Sequence, residues 1–197
     1  MNCKMIFSAL LAGTVLAGCG DMADDDDAPV QELLDRSQIE QMLVSYYSHF
    51  GGDENEDFAA YYTEDAVFDV NGIVSTGHEE ITALYNNADS ADEGEDGTEE
   101  AAAEPTGRFR MIASNIEIDI DGDTATASLV WTGVMNADPY APPTLAEQGR
   151  EYDRFKRQED GSWLISHRVV IADSGVPPFY GTAFDPARDF GVEDLNP

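Results

Sequence analysis

Ile116-Glu117-Ile118-Asp119-Ile120-Asp121-Gly122-Asp123-Thr124-Ala125-Thr126-Ala127-Ser128-Leu129-Val130-Trp131 is the stretch that decides the fold class. Ile116, Ile118 and Ile120 alternate with Glu117, Asp119 and Asp121. Beyond Asp121-Gly122-Asp123, Ala125, Ala127, Leu129 and Trp131 alternate with Thr124, Thr126, Ser128 and Val130. A period of two sends alternate side chains to opposite faces, so the stretch predicts an antiparallel hairpin with one buried and one wet face. The aspartates resemble a calcium loop only in part. The later Glu of such a loop is missing and the segment is a hairpin, so it reads as a turn.

Toward the C-terminus, residues 150–158 and 162–172 predict a second hairpin about Glu159-Asp160-Gly161, preceded by a Pro-containing loop over residues 136–149. His167 alternates with Trp163, Ile165, Val169 and Ile171 and is expected on their face. Residues 174–197, with Pro177-Pro178, form an extension of little periodicity. Toward the N-terminus, Leu33, Leu34, Ile39, Met42, Leu43, Tyr46 and Tyr47 recur at helical steps, predicting a helix over 31–50 that stops at Gly51-Gly52. Ser37 and Glu40 have the spacing of a capping box that would start or kink it. A short helix over 57–62, a strand over 66–70, a turn at Asn71-Gly72 and a helix over 77–86 follow. Residues 87–107 hold an acidic loop without large apolar side chains, unable to offset its ordering entropy by burial. Helices first and long antiparallel strands last give an α+β fold: a curved sheet wrapped around the N-terminal helices as a cone spanning residues 31–173.

The 197-residue chain sets 40 Asp+Glu against 10 Lys+Arg, net −30. Such a surface repels phosphates and excludes nucleic acid as a partner. Its start has an ordered pattern of its own. Lys4 precedes an apolar run, Met5 to Leu16, too short to span a bilayer, and Leu16-Ala17-Gly18-Cys19 resembles the bacterial lipobox. The expectation is a lipoprotein signal peptide over 1–18, with Cys19 acylated, palmitate among its chains, and holding the protein on a lipid bilayer of the cell envelope. Gly20 directly after Cys19 favours the outer over the inner membrane. Residues 19–30, with Asp24-Asp25-Asp26-Asp27, would be an acidic tether. Cys3 falls in the removed segment, so the mature chain has no disulfide.

The motif order resembles the SnoaL-like branch of the NTF2-like superfamily. It is carried by Tyr46-Tyr47, Tyr62-Thr63-Glu64-Asp65-Ala66-Val67-Phe68, Asn71-Gly72, Gly77 with Ile81, Asn115-Ile116, Asp121-Gly122-Asp123-Thr124-Ala125, and Gly161-Ser162-Trp163-Leu164-Ile165 with Arg168. The resemblance implies a cone-shaped α+β barrel with an open pocket, and a homodimer formed through the sheets. It also implies, for enzymes of the group, an Asp after the first helix and a His on the strand before the Asn-x-x-Ile segment, assisted by Tyr. Met111 stands at that His position, beside Arg110, and Phe50 near that Asp position, between His49 and Asp53. A thioether transfers no proton, so the acid/base pair is not carried over.

Tyr46, His49 and Asp53 are the candidate catalytic residues, His49 and Asp53 as a substitute pair or as solvated residues at a helix end. Tyr62, Arg110, Met111, Trp131, Tyr152 and His167 are the candidate pocket residues. The three histidines share no ligand spacing, so neither a metal nor a cofactor is expected. The preferred reading is a tethered domain binding a small apolar or aromatic molecule, or a protein partner. The alternatives are a cofactor-independent dehydratase or isomerase and a dimeric envelope scaffold.

Overall fold

A computed structural model describes residues 28–50, 57–91, 108–175 and 190–195 of the chain, with side chains to residue 86 in the second of these. Cys19, Asp53 and most of the acidic loop lie outside the described residues. The elements run α1 (Ala28–His49), a 3-10 turn (Phe58–Tyr61), β1 (Tyr62–Val70), β2 (Ile73–Thr76), α2 (Gly77–Ala91), β3 (Arg108–Asp121), β4 (Thr124–Asn136), β5 (Thr144–Arg157), β6 (Trp163–Ser174) and a second 3-10 turn (Val192–Asp194). The strands form one sheet in the order β2-β1-β6-β5-β4-β3, antiparallel except for the β1–β6 pair. α1 and α2 pack on its inner face, giving the expected α+β cone.

The turns form where local chemistry asks for them. Asn71 and Gly72 take φ of +52° and +89°, as a two-residue hairpin turn requires. Gly122, at the β3–β4 turn, takes φ of +61°. Gly149 serves another purpose: a Cβ there would lie 2.3 Å from the Trp131 ring, so the indole packs directly on backbone.

Several boundaries differ from expectation, β1 among them, since it already begins at Tyr62. α1 begins at Ala28, inside the expected tether, because Pro29 is tolerated in a first turn. Ser37 neither starts nor kinks the helix; its hydroxyl accepts from Gln41 Nε2 at 3.2 Å. The expected loop over 136–149 is already strand from Thr144, drawn into the ladder by β4. α2 runs on to Ala91, five residues into the expected loop.

The rotation of α1 differs as well. Leu33 and Leu34 are exposed, whereas Asp35 is buried beside Ile39, Leu43, Tyr46 and Tyr47. The cause is long-range. Arg157 at the end of β5 grips both Asp35 oxygens at 2.6 Å, and its guanidinium stacks 4.4 Å from the centroid of Trp163, which itself donates to Asp35 at 3.3 Å. A forked Arg–carboxylate pair fixes orientation as well as distance, and it turns this helix end toward the β5–β6 hairpin.

Candidate functional site

β6 decides what the cone contains. Its pairing with β5 runs Phe155 to Ile165 and then Arg154 to His167, so Ser166 is an extra residue and the strand changes phase there. Before this bulge, Trp163 and Ile165 face the core. After it, Arg168, Val170 and Ala172 face inward, while Val169 and Ile171 join a separate cluster outside. His167, paired with Arg154, goes with the outer set. The expectation that His167 shares the face of Trp163 is corrected: an inserted residue reverses the alternation on which it rested.

Arg168 thereby lies fully buried opposite Asp153 and Glu151, which β5 directs inward with Phe155. Its Nε donates to Asp153 Oδ1 at 2.8 Å. Its Nη2 lies 3.0 Å from Glu151 Oε1, an ionic contact without the alignment of a hydrogen bond. The guanidinium covers the Tyr46 ring at 4.2 Å. One cation thus faces two carboxylates in a medium that penalises net charge. Burial pushes Glu151 well above the usual carboxylate range. Arg168 opposes the shift, and Asp153 adds to it. Tyr47 donates its hydroxyl to the other Glu151 oxygen.

From Arg168 a line of hydroxyls runs through the cone and returns to Tyr46, the ring under the same guanidinium. Nη1 donates to the Tyr62 hydroxyl at 3.4 Å, Tyr62 meets Tyr85 at 3.1 Å, and Tyr85 meets Tyr46 at 2.5 Å. A guanidinium can only donate, so the Tyr62 oxygen accepts from Arg168, and between Tyr62 and Tyr85 either hydroxyl can donate. Burial pushes Tyr62 up to about 12 and Tyr46 and Tyr85 well up too, so all three stay neutral phenols at physiological pH. Half-buried Phe50, Phe58, Tyr61 and Tyr85 gather around this line at the end of α1. Phe58 stacks on Tyr85 at 4.7 Å and meets Tyr46 edge-on at 5.3 Å. The cluster brings together aromatic faces and phenol hydroxyls, the groups by which flat molecules are recognised.

Of the candidate residues, Tyr46, Tyr62 and Trp131 are inside the cone, and half-buried Met111 packs against the same core. Trp131 donates to the Arg150 carbonyl at 3.3 Å. His49 is exposed, its Nδ1 3.4 Å from the Tyr61 hydroxyl, and so does not point into the cone. Arg110 is exposed too, bordering a shallow depression with Arg108, Asn136 and Pro139. Tyr152 sits on the outer face against Phe190, since it alternates with inward Glu151 and Asp153. Sequence reasoning missed Glu151, Asp153 and Tyr85 and gave Arg168 no role. The available signal was two carboxylates in phase with Phe155, one strand away from an arginine. Among the described residues no group of His, Cys, Asp or Glu could hold a metal ion.

Residues 31–169 match the model of a family described as SnoaL-like domain. Solved structures give the same fold at low identity. An NTF2-like protein with a cystatin-like fold from Novosphingobium aromaticivorans is 19% identical, with a TM-score of 0.58 over 79% of this chain and 94% of that one. A candidate scytalone dehydratase from the same species is 18% identical, with a TM-score of 0.58 over 82% and 99%. ActVI-ORFA from Streptomyces coelicolor is 18% identical, with a TM-score of 0.54 over 70% and 96%. No curated protein matches the chain.

Proposed function

The chain belongs to the SnoaL-like domain family, and from that membership we propose that it is a lipid-tethered envelope protein that binds a small, flat apolar or aromatic molecule bearing an acceptor oxygen. One observation carries the reading. The hydroxyl line that starts at buried Arg168 passes half-buried Tyr85 and ends at Tyr46, whose ring meets half-buried Phe50, Phe58 and Tyr61. Rings supply affinity there, and a neutral phenol supplies direction. The tether rests on Leu16-Ala17-Gly18-Cys19. With two or more acyl chains, at about 0.8 kcal/mol per buried methylene, it anchors stably.

Titrating the full-length protein with 2-naphthol, followed by intrinsic fluorescence, tests the binding. Saturable binding that Phe58→Ala weakens tenfold or more is expected. Binding that ignores both Phe58→Ala and Tyr85→Phe would overturn the site. Mass spectrometry of Cys19 tests the anchor, and an unmodified thiol in envelope fractions would defeat it.

Glu151 favours a second reading, a cofactor-independent dehydratase or isomerase. A buried carboxyl pushed up by desolvation is a proton source of the kind such chemistry needs, and one structural neighbour is described as a candidate scytalone dehydratase. Under this reading, Glu151→Gln abolishes turnover of a hydroxy-ketone substrate and leaves its binding intact. Under the binding reading no turnover exists to lose.

A further inference from the structure

The outer face of the sheet carries an apolar cluster of its own. Val169 and Ile171 of β6 and Tyr152 of β5 form one side, and Phe190, Val192 and Leu195 form the other. Leu195 is 0% exposed, as deeply buried as any residue of the core. The Phe190 ring lies 5.2 Å from Tyr152, and Arg154 Nη2 donates to the Leu195 carbonyl at 2.5 Å. The second 3-10 turn spans only Val192–Asp194, closed by Asp194 N to the Gly191 carbonyl at 3.0 Å and Gly191 N to Asp194 Oδ2 at 2.9 Å. A helical fragment this short has no stability of its own, so the sheet face holds it in place.

The charge of that face is unusual for this chain. With 10 Lys+Arg against 40 Asp+Glu, most of the surface repels an acidic segment. Here β5 sets Arg150 and Arg154 on either side of Tyr152, pairing them across to Ile171 and His167 of β6. Arg150 is bridged to Asp173 at 2.9 Å, which leaves Arg154 facing the segment. An apolar strip with a basic side complements a peptide of spaced apolar anchors and acidic residues between them. Phe190-Gly191-Val192-Glu193-Asp194-Leu195 is such a peptide.

We propose that Tyr152, Arg154, Val169 and Ile171 form a peptide-docking groove, occupied in cis by the chain's own Phe190–Leu195 segment and open to an acidic, apolar-anchored peptide of the same chemistry when that segment is displaced. Intramolecular attachment supplies an effective concentration of order millimolar, so the segment holds its seat at modest intrinsic affinity.

The test uses a fluorescent, amidated peptide of residues 190–195, the full-length chain and its full-length Leu195→Asp variant. Anisotropy is expected to show binding to the variant at least tenfold tighter than to the parent chain, weakened as salt rises from 0.05 to 0.5 M. A peptide carrying the same Leu195→Asp change is expected to bind neither. Equal binding to both chains, or binding to neither, overturns the proposal. Sedimentation velocity is run beside it. A variant that dimerises and excludes the peptide would assign the face to a second copy and overturn it too. Should Leu195→Asp lose its cooperative melt, Val192→Ala combined with Leu195→Ala serves the same test.

Discussion

Asp35 and Glu151 are both buried carboxylates gripped by an arginine, and the protein treats them in opposite ways. Asp35 takes both Nη atoms of Arg157 at 2.6 Å while exposed Asp123 takes only its Nε at 3.1 Å, and Gln31 and Trp163 add donors. Arg157 leads these donors in holding its carboxyl down at about 2. Glu151 lies deeper and shares Arg168 with Asp153, the better-aligned partner. Burial therefore wins, and its carboxyl is pushed up. The difference shows that desolvation, weighed against the donors each carboxylate holds, sets the direction in which a buried acid shifts. The first arrangement staples α1 to the sheet. The second gathers a carboxyl pushed up by burial and the phenols of Tyr46, Tyr47, Tyr62 and Tyr85.

The largest expected effect comes from breaking the shared arginine. Arg168→Met strands Asp153 with no cation, beside a second buried acid, and is expected to cost about 3–5 kcal/mol, read as the shift in urea midpoint. Adding Asp153→Asn and Glu151→Gln to the same chain should recover most of that loss.

Asp35→Asn comes next, at about 2 kcal/mol. Its folded-state pKa of about 2 lies below the ordinary 3.8. The stabilisation is therefore present above the ordinary value and is lost as pH falls from about 4 toward 2. Acid titration of stability should show that decline in the parent chain and a flatter profile in Asp35→Asn. Coinciding profiles would mean the pair contributes nothing.

Glu151→Gln is smaller and opposite in sign. A carboxyl whose folded pKa is raised contributes stability below the ordinary 4.5, and that contribution is lost as pH rises through the folded value. Removing the acid should cost little at pH 5 and raise stability by about 1 kcal/mol at pH 9. Equal changes at both pH values would place an ionised Glu151 in the cone and break the contrast with Asp35.

Smallest is Tyr85→Phe, expected to cost about 1 kcal/mol of stability for the loss of the hydroxyl that meets both Tyr46 and Tyr62. The same change should weaken 2-naphthol binding severalfold, and an unchanged titration would remove Tyr85 from the binding site.

How far the sequence carried the reading follows from how local each signal was. The β3–β4 hairpin was legible because its alternation, its Asp-Gly turn and its apolar face agree over consecutive residues. The Asn71-Gly72 turn was legible for the same reason. Tyr46, Tyr62 and Trp131 are buried, each in phase with apolar neighbours. His167 and Tyr152 lie on the outer face, a placement set by the Ser166 bulge and the inward phase of Glu151 and Asp153, which concern pairings between strands. Arg168 drew no functional reading because an arginine is an improbable core residue until its carboxylates are in view.

The amino-acid sequence alone determined the strands and their turns, the existence of α1, and the α+β class, since these depend on periodicities of two and of three to four residues and on turn chemistry within a few positions. Only the tertiary structure decided which side of α1 is buried, which side of β6 faces the cone after Ser166, and what the core holds. Those outcomes were set by contacts such as Asp35 with Arg157 and Tyr62 with Arg168, whose partners lie 122 and 106 residues apart. Local periodicity cannot specify a face when the selecting charge arrives from another strand.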